Sequence, residues 1–311
     1  MTEPLLFAFG GAHIERFGHI RGTYAPDAFN PGTMRESVGG SALLAARAAA
    51  QRGLRVKLMS LRGGDAAGLQ VAAAIENAGI EDCSAVFLDR ATPSSTAILT
   101  QDGSLAAGLD DMALYEFGFP KLLRPRRIRD GVAEADAVLC EAEMPSQALE
   151  LLAGLAGAKP IFALAVSAAK SVRLMPVLGR LSYLFMNRQE ACRLAGLPPE
   201  MPARAAAEAL AAHGLAAGVI TDGGKPVLCF ETARFHEIAP FQANTDEGGS
   251  SNVLAGAAIA ALMRGLQLPE AIREGTAAAK LMPVGGKTAP KPGVRAFRAA
   301  LDQVPPPQAL S

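Results

Sequence analysis

Short apolar runs alternate with longer alanine- and leucine-rich stretches along most of the chain. "LLFAF" (Leu5 to Phe9), "RVKLMSL", "AVLCE", "PIFALAV", "SYLFMN" and "AAGVITDGG" are each short, mostly apolar runs of strand length. That is the pattern of strands buried on both faces. Between them lie stretches of helical composition. "SALLAARAAAQRG" (Ser41 to Gly53) opens on a serine and closes on a glycine, and "AAGLQVAAAIENAG" closes on Gly79. "PVLCFE" and "ARFHEIA" read as a hairpin-like pair, and the last third, "SNVLAGAAIAALMRG" and "LPEAIREGTAAAKLM", reads as helix. The alternation predicts an α/β fold with a mostly parallel sheet covered by helices on both faces.

Two stretches break the rhythm. "HIRGTYAPDAFNPGTMRES" (His19 to Ser37) and "TPSSTAILTQDGSLAAGLDD" (Thr92 to Asp111) read as short strands and loops off the main sheet. A small β-lid over a cleft, built from segments at about 14–38 and 92–111, is the economical reading, with a functionless surface excursion as its rival. The expected organisation is one domain over residues 1–303, with "VPPPQALS" at 304–311 as a loop-like or frayed tail.

Composition narrows the function classes. Half of the 311 residues are hydrophobic and 19% are charged, as in a globular chain. Lys+Arg and Asp+Glu stand at 30 each, so no charge excess points to nucleic acid or an anionic membrane. "KLLRPRRIR" (Lys121 to Arg129) reads as a solvated, proline-broken loop and helix start. Cys83, Cys140, Cys192 and Cys229 form no CxxC pair, so no structural metal site is expected. The N-terminus lacks the basic and apolar regions of a secretory signal, and "VLAGAAIAALM" is too short to span a bilayer. The expectation is a reduced, cytoplasmic protein.

The candidate chemistry begins at "TDEGGSSNVLAG" (Thr245 to Gly256). Gly248 and Gly249, then Ser250 and Ser251, precede an apolar helical run. Small residues at a helix N-terminus leave backbone N–H groups open to an anion. Taken alone, the stretch reads equally as a Ser/Gly cap on a buried helix. Asp246 and Glu247 add carboxylates nearby, and Glu190 follows Asn187 by three residues, on one face of a starting helix.

Several segments, in order, resemble the ribokinase-like (PfkB) family of small-molecule kinases: "FGGAHIERFG", "ESVGGSALLAARAAAQRGLRVKLMSLRGGDAAG", "MNRQEACRLAG", "VITDGGKPV" and "TDEGGSSNVLAG". Within the family, "FNPGTMRESVGG", "TPSSTAILTQDGSL" with "LDDM", and "ALAVSAAKS" look most like pseudouridine kinases. A Rossmann dehydrogenase is set aside because the first strand–helix turn lacks GxGxxG. The resemblance implies a ribokinase-like three-layer α/β/α sandwich with a mostly parallel sheet and a small β-lid. It implies ATP and Mg²⁺, a sugar or nucleoside acceptor, and a homodimer formed through the lid. Gly248, Gly249, Ser250 and Ser251 would cradle phosphate, and Asn187 and Glu190 would order Mg²⁺ and phosphate. Thr221 and Gly223 would line the nucleotide side. Glu15, Gly39, Gly40 and Ser41 would line the substrate side, with lid residues around Ser95 and Asp110 closing over it.

The chain departs from the family where a base is needed. With "LAG" (Leu254 to Gly256) in register, the catalytic Asp position is Ser251, and a slip by one gives Asn252. Neither side chain is a base near neutral pH. Ser250 stands where the family has a second glycine, so a positive φ there would strain it. Leu44 and Leu164-Ala165 replace polar family residues, through a changed substrate, relaxed selection on catalysis, or core packing. Two readings stay open: a kinase impaired at its base position, with Glu247 as a possible substitute, or a pseudokinase that binds a nucleoside or nucleotide as sensor or scaffold. His13 and His19 flank the first loop, and each is more simply a structural histidine than a ligand.

Overall fold

A computed structural model describes residues 3–232, 234–240, 249–281 and 293–310. The chain begins with β1 (Leu5–Phe9), β2 (His13–Ile20), β3 (Gly32–Gly39), α1 (Ser41–Gln51), β4 (Arg55–Met59) and β5 (Leu61–Gly63). There follow α2 (Ala66–Asn77), β6 (Glu81–Asp82), β7 (Ala85–Phe87), β8 (Ser94–Leu99), β9 (Leu105–Asp111), α3 (Ala113–Leu122) and α4 (Arg126–Glu134). The middle holds β10 (Ala137–Glu141), α5 (Ser146–Ala156), β11 (Ile161–Leu164), α6 (Ala168–Ser171), a 3-10 stretch (Val172–Arg180), β12 (Tyr183–Asn187) and α7 (Arg188–Leu194). Last come α8 (Ala203–Ala212), β13 (Ala217–Thr221), β14 (Val227–Glu231), β15 (Arg234–Ile238), α9 (Ser250–Met263), α10 (Leu268–Lys280), α11 (Val294–Asp302) and β16 (Gln308–Leu310).

The main sheet has ten strands in the order β16-β15-β14-β13-β12-β11-β10-β1-β4-β6, parallel from β6 to β13 and antiparallel beyond. β1 shows why its apolar run is unbroken. Leu5, Phe7 and Phe9 enter the core on one face of the sheet, and Leu6 and Ala8 enter the core on the other. Helices cover both faces. α9 lies against α1 and α10, and its alanines and Gly256 permit close approach. A Cβ on Gly256 would stand 2.0 Å from the backbone oxygen of Ala45.

The stretches that break the strand–helix rhythm form a separate four-stranded sheet, β3-β2-β8-β9. β2 pairs in parallel with β8 and antiparallel with β3, and β9 forms one edge. His13 and His19 both lie on β2 and do not flank a loop.

The C-terminal residues differ from a frayed tail. Val304 is fully buried, and Gln308–Leu310 pair with Phe235–Glu237 as the outermost strand of the main sheet. Their backbone groups satisfy an edge that β15 would otherwise leave open. No described helix is long and apolar enough to cross a membrane.

Candidate functional site

Five parallel strands deliver their carboxyl ends to one place. Gly10 follows β1, and Glu141, Leu164, Asn187 and Thr221 close β10, β11, β12 and β13. β1 sits between β4 and β10, so successive connections leave it in opposite directions. That divergence opens a crevice above the strand ends. Three cavities adjoin there. One of about 200 Å³ is walled by Asn187, Glu190, Thr221, Gly249, Ser251 and Asn252. One of about 460 Å³ lies under the lid, against Glu15, Phe17, Leu44, Asp110, Gly249 and Asn252. One of about 230 Å³ holds His13, Glu15, Gly40, Asp110, Glu143 and Lys170. Gly249 and Asn252 belong to the first two, Ser41 to the first and third, and Glu15 and Asp110 to the last two.

The N-terminus of α9 forms the junction. Gly249 is its cap residue at φ +90° and, as glycine, has no side chain to cap the helix. The strain expected at Ser250 therefore falls on a glycine, while Ser250 is already helical and buried. The helix N-terminus opens onto the cavity at Gly249 and Ser251, a setting suited to an anion. Ser251 borders only the 200 Å³ cavity, whereas Asn252 borders both it and the lid cavity. Gly248 and Glu247 lie outside the described residues.

Asn187 and Glu190 form a reciprocal cap on α7. The Glu190 N–H donates to Asn187 Oδ1 at 2.9 Å, and the Asn187 N–H donates to Glu190 Oε2 at 2.7 Å. Burial raises the Glu190 carboxyl above its usual pKa, against the Asn187 N–H that favours the charge. The cap leaves the second oxygen of Glu190 unused. Thr221 sits beside Asn187 in the sheet register and on the same cavity wall. Gly223 borders none of these cavities; its φ of +57° serves the turn between β13 and β14.

On the substrate side, the Gly39–Gly40 pair is dictated by space. A Cβ on Gly39 would lie 2.3 Å from the Glu15 carboxyl carbon, and one on Gly40 would lie 2.3 Å from the Gly11 oxygen. Gly40 has φ +108° and donates its N–H to Glu15 Oε1 at 3.1 Å. Ser41 accepts from Asn252 Nδ2. Ser95 borders both lid-side cavities. Leu44 and Leu164 are buried core residues that also form cavity wall.

Sequence reasoning missed the buried acids. Glu141 is fully enclosed and accepts the Gly11 N–H. Burial first, and then Glu143, push its carboxyl up to about 8. Glu143 is also buried, and Lys170 Nζ reaches it at 2.7 Å. The signal was present in "CEAEMP", where two acids close an apolar strand, but a strand end does not reveal which acids stay dry.

A family model described as pfkB family carbohydrate kinase matches residues 6–284. A carbohydrate kinase from Agrobacterium tumefaciens is 36% identical, with a TM-score of 0.84 over 99% of this chain and 100% of that one. Arabidopsis thaliana ribokinase, complexed with ribose and ATP, shares the fold at 18% identity, with a TM-score of 0.79 over 96% of this chain and 99% of that one. An uncharacterized sugar kinase of Escherichia coli is 25% identical over 268 residues, 85% of this chain and 74% of that one.

Proposed function

The chain belongs to the pfkB family of carbohydrate kinases, and from that premise we propose that it transfers a phosphoryl group from ATP to a hydroxyl of a sugar or nucleoside, slowly for want of the usual base. One observation carries this reading. The N-terminal turn of α9 is the wall shared by the strand-end cavity and the lid cavity, so a phosphate held there faces an acceptor under the lid. Gly249, Ser250 and Ser251 would hold phosphate oxygens through backbone N–H groups. Asn187 and Glu190 would hold Mg²⁺ and phosphate, and the uncommitted Glu190 oxygen suits that role. ATP with Mg²⁺ supplies the phosphoryl group and neutralises its charge. Phosphoryl transfer relies mainly on positioning and electrostatics, which supports a residual rate without a base.

The acceptor class follows from the lid cavity. Phe17, Leu44 and Leu105 give it an apolar surface suited to a flat base, while Glu15 and Asp110 accept hydrogen bonds from hydroxyls. A pseudouridine-like nucleoside fits both. The lid also supports self-association. Met34 and Ile98 flank Gly18 on one face of it, and Met34 is 57% exposed.

A second reading rests on Ser251 and Asn252, neither of which takes a proton near neutral pH: a pseudokinase that binds the same ligands without turnover. Labelled ATP·Mg²⁺ offered with a panel of nucleosides and sugars separates the two. Phosphorylated acceptor establishes the kinase. Saturable binding of ATP and acceptor without product establishes the pseudokinase.

A further inference from the structure

A fourth cavity lies at the other end of the main sheet. It measures about 210 Å³ and sits between the β14–β15 hairpin and the start of α10, bounded by Glu231, Arg234, His236, Gln267, Leu268 and Pro269. Glu231 pairs with Ala217, the first residue of β13, whereas Thr221, the last, walls the strand-end cavity. The two cavities therefore open at opposite ends of the strands. Side chains alternate along β14, so Glu231 shares a face with Cys229, which is fully buried in the core beneath α9 and α10. In the register Arg234 stands opposite Glu231, and His236 opposite Cys229. Opposed residues of an antiparallel ladder share a face, so all three polar side chains lie on the side that α10 covers.

The charges there are placed but not closed on each other. Opposite charges directly across an antiparallel pair attract, yet Glu231 and Arg234 form no ion pair. Arg234, His236 and Gln267 have no side-chain partner among the described residues. The acid is held from the core side. It accepts the Tyr183 hydroxyl, whose pKa is raised by burial first and then by this carboxylate. The Tyr183 ring in turn stacks on Phe162, with centroids 5.5 Å apart. Between the held acid and the open cation the wall is apolar, formed by Cys229, Leu268 and Pro269.

We propose that this cavity binds a small zwitterion with an apolar body, the chemistry of an aliphatic α-amino acid, as an effector. A lone anion would meet Glu231 and a lone cation would meet Arg234, so a ligand carrying both charges suits both. Its carboxylate takes the Arg234 guanidinium in a bidentate pair, with Gln267 as a further donor. Its ammonium pairs with the Glu231 carboxylate, which has accepting capacity left beyond Tyr183. Its side chain lies on Leu268 and Pro269. The volume is below the ~300 Å³ at which sites for drug-sized ligands begin, so the ligand is small.

The cavity also reaches the phosphate site through two helices. Gln267 and the first turn of α10 close the cavity, and α10 then packs along α9. A Cβ on Gly275 would stand 2.6 Å from the Leu254 carbonyl oxygen, so the helices touch backbone to backbone. Gly249, at the start of α9, lines both the strand-end and the lid cavity. A ligand that draws α10 onto the hairpin acts on that turn through the helix pair. By linkage, ATP and the effector then change each other's affinity by the same factor. The coupling rests on the ATP reading above; the site itself does not.

The test is calorimetry on the full chain with leucine, 4-methylpentanoate (leucine without its amine), 3-methylbutylamine (leucine without its carboxylate) and glycine (leucine without its body). Leucine should bind about tenfold or more tighter than each of the others, as expected for a lost charged hydrogen bond or a lost apolar side chain. Arg234→Met should bring leucine down to the level of 3-methylbutylamine and bind that amine no worse. Glu231→Gln should bring leucine down to the level of 4-methylpentanoate and bind that acid no worse. The retained analogue shows that each variant is folded. Hydrogen exchange in Phe235–Ile238 and Leu268–Ile272 should slow when leucine binds. The site is overturned by no leucine binding at millimolar concentration, by leucine bound no better than its analogues, by binding indifferent to Arg234→Met, or by protection confined to the lid. Saturating leucine should shift ATP affinity severalfold, and an unmoved ATP affinity removes the effector role. A chain that binds leucine in this way but binds no ATP retires the kinase and pseudokinase readings and leaves the site standing.

Discussion

Asn252 Nδ2 donates to Ser41 Oγ at 3.2 Å, joining the first turn of α9 to the first residue of α1. The bond crosses the boundary between the strand-end cavity and the substrate side, where a base would take a proton from the acceptor. Ser251, one residue earlier, faces only the strand-end cavity. Geometry thus makes the register of the base position testable. Ser251→Asp should raise phosphotransfer by ~10²–10⁴-fold, the usual contribution of a positioned base, with little change in ATP affinity. If Asn252→Asp does so instead, the base position lies one residue further along the helix than Ser251. Both are scored by initial rates with labelled ATP.

Asn187 and Glu190 serve structure and ligand together, and the two roles separate by substitution. Asn187→Ala removes the acceptor for the Glu190 N–H and should cost about 1 kcal/mol in urea unfolding, the usual loss for a cap. Glu190→Gln keeps an oxygen for the Asn187 N–H and removes the charge. Stability should hardly move in that variant, while the Mg²⁺ dependence of ATP binding weakens severalfold. Equal loss of stability in both would make the pair a cap and nothing more.

Much of this architecture is legible in the chain because it rests on local periodicity. "LLFAF" feeds two cores because its side chains alternate across a sheet covered on both sides. The lid is legible because "TPSSTAILTQDGSL" alternates and turns at Asp102-Gly103. What stayed hidden depends on partners far away in sequence. Lys170 sits 60 residues from Asp110 and 27 from Glu143. Val166 takes a left-handed conformation to which valine is poorly suited, so composition points away from it. Gln308–Leu310 follow three prolines and look like a tail, yet an open strand edge captures them. The motif itself was readable to within one residue, since the left-handed position falls on Gly249 and spares Ser250.

The lid face bearing Met34 predicts self-association. A β-sheet face with Met34 57% exposed and Leu109 72% exposed is costly to leave in water. The native chain should sediment as a dimer at micromolar concentration, and Met34→Glu should shift it to monomer with an unchanged melting temperature. A monomeric native protein would leave the exposed lid residues for the ligand alone.

Glu141 predicts how stability depends on pH. Its carboxyl is fully buried, and burial followed by the nearby Glu143 raises it to about 8, against the backbone N–H groups of Gly11 and Ala42 and the Lys170 ammonium. In the unfolded chain a glutamate titrates near ~4.3. Between those values the fold keeps a proton that the unfolded chain has released. The stabilisation is therefore complete below ~4.3 and is lost as pH rises through about 8. Urea midpoints should fall from pH 5.5 to pH 8.5. Glu141→Gln keeps an acceptor for the Gly11 N–H and cannot ionise, so it should reduce that fall by about 3 kcal/mol. Glu143, whose carboxyl burial also raises, contributes in the same direction. An undiminished fall in Glu141→Gln would place the titration on Glu143, and Glu143→Gln would then flatten the profile in its stead.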